Sequence, residues 1–217
     1  MKYKNNYWNT PNTINWFSKQ PVPEYWIIFF CNKGSITKKV LDLGCGAGRN
    51  TQFLYESGYD VYACDLYSGM VHATRKRLCG IGFNKQFVEK RVIKASMLSL
   101  PYENEYFDAV LSNGVYHNVS SLKEIDLAFK ETSRVLKKNG YLCFNLFSSK
   151  YIDPSLRKIN THVYKTKEKL LMTLLSKNEL INYFKKYGLV PEEEIVEYIR
   201  KLPTGKRSVI RGVLRTI

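Results

Sequence analysis

The 217-residue sequence is short of acid, with 19 Asp and Glu against 34 Lys and Arg, and it has only three histidines. Neither these histidines nor the carboxylates cluster at metal-ligand spacing, so a metal centre is not expected. Long apolar runs are missing as well. The longest, near Trp26–Cys31, falls far short of the ~20 residues that a membrane-spanning helix needs. No apolar signal-type segment follows Met1-Lys2-Tyr3-Lys4-Asn5-Asn6. The five cysteines form no CxxC pair and no zinc spacing, which reads as five reduced thiols in a cytoplasmic protein. Repeats and low-complexity linkers are absent, so residues 1–217 read as one unit.

The acid deficit leaves a formal charge of +15, concentrated where acids are missing altogether: between Asp65 and Glu89, and after Glu197. The tail carries Arg200, Lys201, Lys206, Arg207, Arg211 and Arg215. Such an excess attracts phosphates and raises a nucleic-acid partner as one reading, although no RNA-binding module accompanies it. Scattered compositional drift toward Lys, Asn, Tyr and Ile is the plainer one.

Short β-branched runs alternate with helical stretches, the pattern of a parallel sheet built from β-α-β units. Strands are expected at Lys39–Leu43, Asp60–Cys64, Val92–Ala95, Phe107–Ser112 and Tyr141–Leu146. Helices are expected at Arg49–Ser57, Ser68–Leu78, Leu122–Leu136 and Ser176–Tyr187. Ser176 and Glu179 stand in capping-box spacing. Two final strands, near Ile195–Ile199 and Ser208–Leu214, are joined by the turn Pro203–Lys206 into a hairpin. Lys150–Thr173 has weak periodicity and reads as a connection or insertion.

The chemistry sits in Val40-Leu41-Asp42-Leu43-Gly44-Cys45-Gly46-Ala47-Gly48-Arg49-Asn50, a strand running through alternate glycines into a helix. Glycine permits a sharp turn and lets a ligand approach the backbone, and the following helix start offers free N–H groups. Alone, such a loop serves NAD, FAD or SAM (S-adenosylmethionine), or is a structural turn. Arg49 interrupts the G-x-G-x-x-G spacing of dinucleotide sites, and Asp42 stands where those sites carry an apolar residue. Asp65 closes the second strand 17 residues beyond Gly48, where a carboxylate can accept both ribose hydroxyls of an adenosine; a turn or helix-cap role is the alternative.

These residues resemble the class I SAM-dependent methyltransferases, in particular the small type-11 and tellurite-resistance-like groups. Residues 40–51 match the first motif of that family, Cys64-Asp65 the second, Phe107–His117 the fourth, and Leu136–Leu142 the helix-to-strand turn of the next. The match covers about residues 38–146. It implies an α/β, Rossmann-like, seven-stranded and mostly parallel sheet with an antiparallel last strand and helices on both faces. It implies SAM as cofactor, held by Asp42, Gly44, Cys45, Gly46, Gly48, Asn50 and Asp65, with Leu66 and Met70 against adenine or ribose. Ser96-Met97 departs from the family's third motif, which places Asp there; the Ser96 hydroxyl can still accept from the adenine amino group and the Met97 N–H can meet its ring.

Asn113, Gly114, Tyr116 and His117 follow the fourth strand and are expected to face the methyl donor, with His117 as candidate general base or, alternatively, a residue that packs and hydrogen-bonds in its loop. His162 with Tyr164 in the weak segment, and Tyr7 and Trp8 in the aromatic N-terminus, are candidate acceptor contacts; hydrophobic packing of the N-terminus on the sheet is the alternative. Residues 1–37 are thus expected to form a helical lid, 38–146 the cofactor core, and 147–217 the substrate-side segment and hairpin. Methyl transfer to nitrogen or oxygen of a small molecule is the leading expectation. An RNA methyltransferase and a non-catalytic SAM-binding protein are the alternatives.

Overall fold

A computed structural model describes residues 6–33, 39–202 and 204–217. Tyr3 and Pro203 lie outside them. The strands are β1 Lys39–Leu43, β2 Asp60–Asp65, β3 Val92–Lys94, β4 Phe107–Asn113, β5 Leu136–Phe147, β6 Arg157–Lys158, β7 Val163–Lys165, β8 Leu171–Thr173, β9 Leu189–Pro191, β10 Val196–Leu202 and β11 Gly205–Thr216. The helices are α1 Pro11–Ser18, α2 Glu24–Lys33, α3 Arg49–Glu56, α4 Ser68–Gly80, α5 Lys85–Arg91, α6 Leu122–Val135 and α7 Lys177–Lys186, with a 3-10 turn at Tyr7–Asn9.

The main sheet runs β3-β2-β1-β4-β5-β11-β10, with β9 added beside β11. The first five strands of that path are parallel, and β11 is antiparallel to β5 and to β10. The seven-stranded, mostly parallel sheet with a reversed C-terminal strand is therefore present, extended by the short β9.

Strand alternation sorts the core into two layers. Leu41, Leu43, Val110, Leu142 and Phe144 face α6 and α7 through Ile125, Phe129, Leu180 and Phe184. Val40, Val61, Ala109, Leu111 and Cys143 face α2 and α3 through Trp26, Phe29, Phe30 and Leu54. α4 and α5 close the β2–β3 end through Val71, Leu78 and Val88.

The Ser176–Glu179 box forms at α7 in both directions, the Ser176 hydroxyl accepting from the Glu179 N–H and the Glu179 carboxylate from the Ser176 N–H. Ser176→Ala is expected to cost about 1 kcal/mol, or roughly 2–4 °C in Tm, by calorimetry. An unchanged Tm would show that the cap is dispensable.

Two elements had no clear sequence signature. α5 is capped by the Asn84 side chain, which accepts from the N–H groups of Gln86 and Phe87. The segment read as a connection folds into a separate antiparallel sheet, β6-β7-β8, over a small core of Leu156, Tyr164, Met172 and Leu174.

No helix among the described residues is long and apolar enough to cross a membrane.

Candidate active site

The glycine loop leaves β1 at the carboxyl edge of the sheet. Gly44, Gly46 and Gly48 all take left-handed φ values, of 72°, 56° and 80°. Gly44 and Cys45 donate their N–H groups to the Cys64 carbonyl, which ties the loop to β2. α4 holds it from behind. The Thr74 hydroxyl donates to the Gly46 carbonyl at 2.8 Å, and Arg77 Nε donates to the Ala47 carbonyl at 2.8 Å. Thr74 packs so closely that a Cβ on Gly48 would lie 2.9 Å from its methyl group. Gly46 is open on its other side, where a Cβ would meet nothing nearer than Phe17 at 4.0 Å.

Asp65 completes the turn. Its carboxylate accepts from Gly46 N–H at 3.0 Å and from Tyr67 N–H at 2.9 Å. Burial pushes its pKa up, while these backbone donors hold it down. Asp42 is more deeply placed: Oδ2 accepts from the Thr51 hydroxyl at 2.6 Å, and Oδ1 is buried without a hydrogen-bond partner among the described residues. Asn50 Oδ1 is in the same condition. Cys45 and Gly48 shape the loop rather than line a cavity, Cys45 being buried against Val71 and Ala63.

Burial lifts the Asp42 carboxyl to about 7 from its usual 3.8, against the pull of Thr51 and Arg49. A raised acid stabilises the fold below its unfolded pKa, and that contribution is lost as pH rises through the folded value. Buried His117 runs the other way. Its pKa is lowered from 6.5 to about 3, so its contribution is present above 6.5 and lost as pH falls through about 3. The two oppose one another between pH 4 and 6.5, and Asp42→Asn separates them. The unfolding free energy of the variant, measured in urea, is expected to gain on the unmodified protein as pH rises from about 4 to about 7. The gain is at most ~1.4 kcal/mol per pH unit. Parallel pH profiles would contradict the placement of Asp42.

Two chambers open at this edge. The first, about 290 Å³, is lined by Gly44, Gly46, Asp65, Leu66, Met70, Ser96, Met97 and Asn113 among others. Ser96 Oγ accepts from the Leu98 N–H at 3.2 Å while facing this space. The second, about 320 Å³, lies between the N-terminal aromatics, the β6–β8 sheet and the β10–β11 hairpin. Trp8, Phe17, Asn113, Gly114 and Asn118 line both. The shared wall is fixed: Asn113 Oδ1 accepts from the Trp26 indole N–H at 3.0 Å and from the Asn145 amide, and the Asn118 amide donates to the Gly114 carbonyl at 2.9 Å.

Tyr7, Trp8 and His117 line the second chamber. His117 is 3% exposed, stacks on Phe147 with centroids 4.1 Å apart, and accepts at Nδ1 from the Phe147 N–H. That bond leaves the proton on Nε2, so the imidazole is a neutral donor there rather than the base expected from its type. Two further expectations are corrected. Tyr116 is fully buried away from both chambers, its hydroxyl paired with Thr132 at 2.8 Å and its ring against Phe129. His162 lies outside both cavities, paired through Nε2 with Glu179 at 2.9 Å, and Tyr164 packs in the small core beneath β7. Sequence reasoning missed Trp16, Phe17, Arg49, Asn145, Phe147 and Met172 as lining residues. For Trp16 and Phe17 the signal is the aromatic density of the N-terminus; Arg49, Asn145, Phe147 and Met172 come from α3, β5 and β8, and no local pattern marks them as lining.

An open α/β sheet with a glycine turn and an acid at the end of its second strand defines a nucleoside-cofactor protein. Residues 41–144, just under half of the chain, match the family model described as a methyltransferase domain, and that stretch is similar to the SAM-dependent methyltransferases. Among curated proteins, it is 30% identical over 144 residues to the demethylmenaquinone methyltransferase of Paenarthrobacter aurescens, covering 66% of this chain and 51% of that one. It is 32% identical over 108 residues to the biotin biosynthesis bifunctional protein BioHC of Saccharophagus degradans, covering 50% and 18%. The chain thus spans from under a fifth to about half of these relatives. Among solved structures, the 1,6-didemethyltoxoflavin-N1-methyltransferase of Burkholderia thailandensis, with 1,6-didemethyltoxoflavin and S-adenosylhomocysteine bound, shares the fold. It has a TM-score of 0.67 at 20% identity, over 93% of this chain and 80% of that one.

Proposed function

We propose that the protein transfers the methyl group of SAM to a nitrogen or oxygen of a small molecule by direct displacement. The observation that carries this is the pair of chambers sharing one wall, Trp8, Phe17, Asn113, Gly114 and Asn118. A donor and an acceptor held on either side of that wall meet at its gap, and alignment of this kind supplies much of the rate of such a reaction.

The residues of the first chamber fit the cofactor. The open face of Gly46 admits a ligand where any side chain would intrude. Asp65 offers carboxylate oxygens for ribose hydroxyls. Leu66, Met70 and Met97 supply apolar walls for adenine, and Ser96 a hydroxyl for its amino group. Asp42 and Asn50 do not line the chamber, but each keeps a buried oxygen without a partner among the described residues, and these suit the ammonium end of the methionine part. Bound there, SAM supplies an electrophilic methyl group on a sulfonium. Asn113, with its oxygen held by Trp26 and Asn145, keeps the wall in place. His117 donates a hydrogen bond into the second chamber and orients the acceptor, which must therefore arrive as a nucleophile already, such as an amine or an ionised phenol. The N-terminal segment 6–33 serves as the lid, excluding water through Tyr7, Trp8, Trp16 and Phe17. Two of the curated relatives and the toxoflavin enzyme are named for chemistry of small molecules, and others are named as probable tRNA methyltransferases. The five cysteines are all unpaired, which suits a reducing, cytoplasmic setting.

The test is transfer of label from methyl-tritiated SAM to a panel of aromatic and amine metabolites, followed by RNA. Labelled small product that disappears with Asp65→Ala supports the reading. Label in RNA alone would replace it with RNA methylation, and SAM binding with no labelled product from any acceptor would leave a non-catalytic binder.

A further inference from the structure

The second chamber is walled on one side by the face of the β10–β11 hairpin that carries Arg200, Leu202, Arg207 and Val209. Arg200 and Arg207 are direct cross-strand partners, and the next pair is Lys201 with Lys206. Like charges placed opposite one another on a sheet destabilise it. Arg49 enters the same chamber from the glycine loop, making three guanidinium groups in its lining. Burial and the nearby Arg200 charge both weaken the hold of Arg49 on its proton, while Asp42 strengthens it.

The acids of the lining and its edge serve Arg207, while the only acid charge that Arg49 feels is that of buried Asp42, with which it forms no ion pair. Asp153 stands 3.7 Å from Arg207, and Glu168, the single carboxylate of the lining, acts on Arg207 as well. Arg207 also donates to the carbonyls of Thr204 and Lys206, so its position is fixed. Arg49 donates to the Pro21 carbonyl, which is neutral. Arg200 forms no ion pair with any described residue. The other cations of the acid-free stretches are turned to structural use. Arg75 and Arg77 donate to backbone carbonyls of Val92 and Ala47, and Arg211 lies over the Tyr25 ring. Lys76, Lys85, Lys201 and Lys206 are exposed on the surface, whereas Arg49 and Arg200 bring guanidinium groups without an ion pair among the described residues into a chamber also lined by Trp8, Trp16 and Phe17.

We propose that this chamber takes a small planar substrate bearing an anionic group, a carboxylate or a phosphate, which Arg49 and Arg200 bind while Trp8, Trp16 and Phe17 hold its ring. The inference rests on the chamber being the acceptor site, and it names the class of acceptor. An anion between the two guanidiniums removes their repulsion and forms charge-assisted hydrogen bonds, and a chamber of 320 Å³ admits a molecule of one or two rings rather than a polymer.

The test compares 1-naphthoate, 1-naphthyl phosphate and the neutral isostere 1-naphthamide, each titrated into the full chain with and without S-adenosylhomocysteine. At least one anion is expected to bind about tenfold or more tightly than the amide, and the better of the two identifies the group. Arg200→Gln and Arg49→Gln are each expected to cut that preference to about threefold or less. Equal affinity for anion and amide, binding of none of the three, or a preference that survives both substitutions would overturn the proposal. So would displacement of bound naphthoate by an RNA oligonucleotide with a steep salt dependence. Titration of S-adenosylhomocysteine alone reports separately on the cofactor chamber, so its failure is distinct from a failure of acid recognition.

Discussion

Asp65→Ala is expected to lower the affinity for SAM about 100-fold or more, because two hydroxyl acceptors are lost at once and each charge-assisted bond contributes about 1.5–3 kcal/mol. The same carboxylate accepts from Gly46 and Tyr67, so alanine also releases the glycine turn that shapes the chamber. Asp65→Asn keeps one acceptor and is expected to fall between, at about tenfold. Burial raises the pKa of this group, so the ionised side chain is costly in the free protein, and its removal offsets part of the loss from the two freed N–H groups. For the same reason, SAM binding should weaken as pH falls through the raised pKa. Calorimetric titration of the variant decides: wild-type affinity would remove Asp65 from the cofactor site.

Gly44→Ala is expected to be the most damaging single methyl group in the chain. A Cβ at this position would stand 2.4 Å from Val115 Cγ2 and 2.9 Å from Cγ1, and the backbone is left-handed at φ 72°. The conformation costs an L-residue about 1–2 kcal/mol, and overpacking adds about 1–3 kcal/mol. For a domain of this size the sum corresponds to a fall of roughly 5–20 °C in Tm. Val115 lines the first chamber and also precedes the buried Tyr116 and His117, so cofactor binding should fall with stability. Adding Val115→Ala removes the clash but not the φ penalty, and should recover about half of the lost Tm. Thermal denaturation of the single and double variants measures both parts. A Tm for Gly44→Ala within a degree or so of the parent would show that the loop is not packed against Val115.

The sheet was legible because its strands are long enough to alternate and its glycines fall at strand ends. β1 was expected at Lys39–Leu43 and lies there. The β6–β8 sheet was not, because strands of two or three residues carry no period and, unlike the equally short β3, these fall outside the β-α-β alternation. α5 has a capping signal at Asn84 but only seven residues, too few for a helical stripe.

Within the site, the glycines and Asp65 could be read because their spacing along the chain mirrors their geometry at the sheet edge. The second chamber draws on residues from 7 to 209, and no local pattern brings Arg49 together with Arg200. Tyr116 and His117 are neighbours in sequence, yet Gly114, at φ 81°, turns the chain so that one enters the core beside Thr132 and the other borders the chamber. Such a divergence follows from a backbone turn that the residue types alone do not specify. The tail arginines illustrate the same limit: charge along the chain suggested a surface, while the hairpin register turns Arg200 and Arg207 toward a cavity.

The most direct test of the central claim is isothermal titration of the unmodified protein with SAM and with S-adenosylhomocysteine. Binding of both in the micromolar range, about −8 kcal/mol, is the predicted result and fixes the first chamber as the cofactor site. Absence of heat with either compound at protein concentrations suited to that range would contradict it. The glycine turn and Asp65 would then belong to another adenosine ligand or to the architecture of the sheet alone.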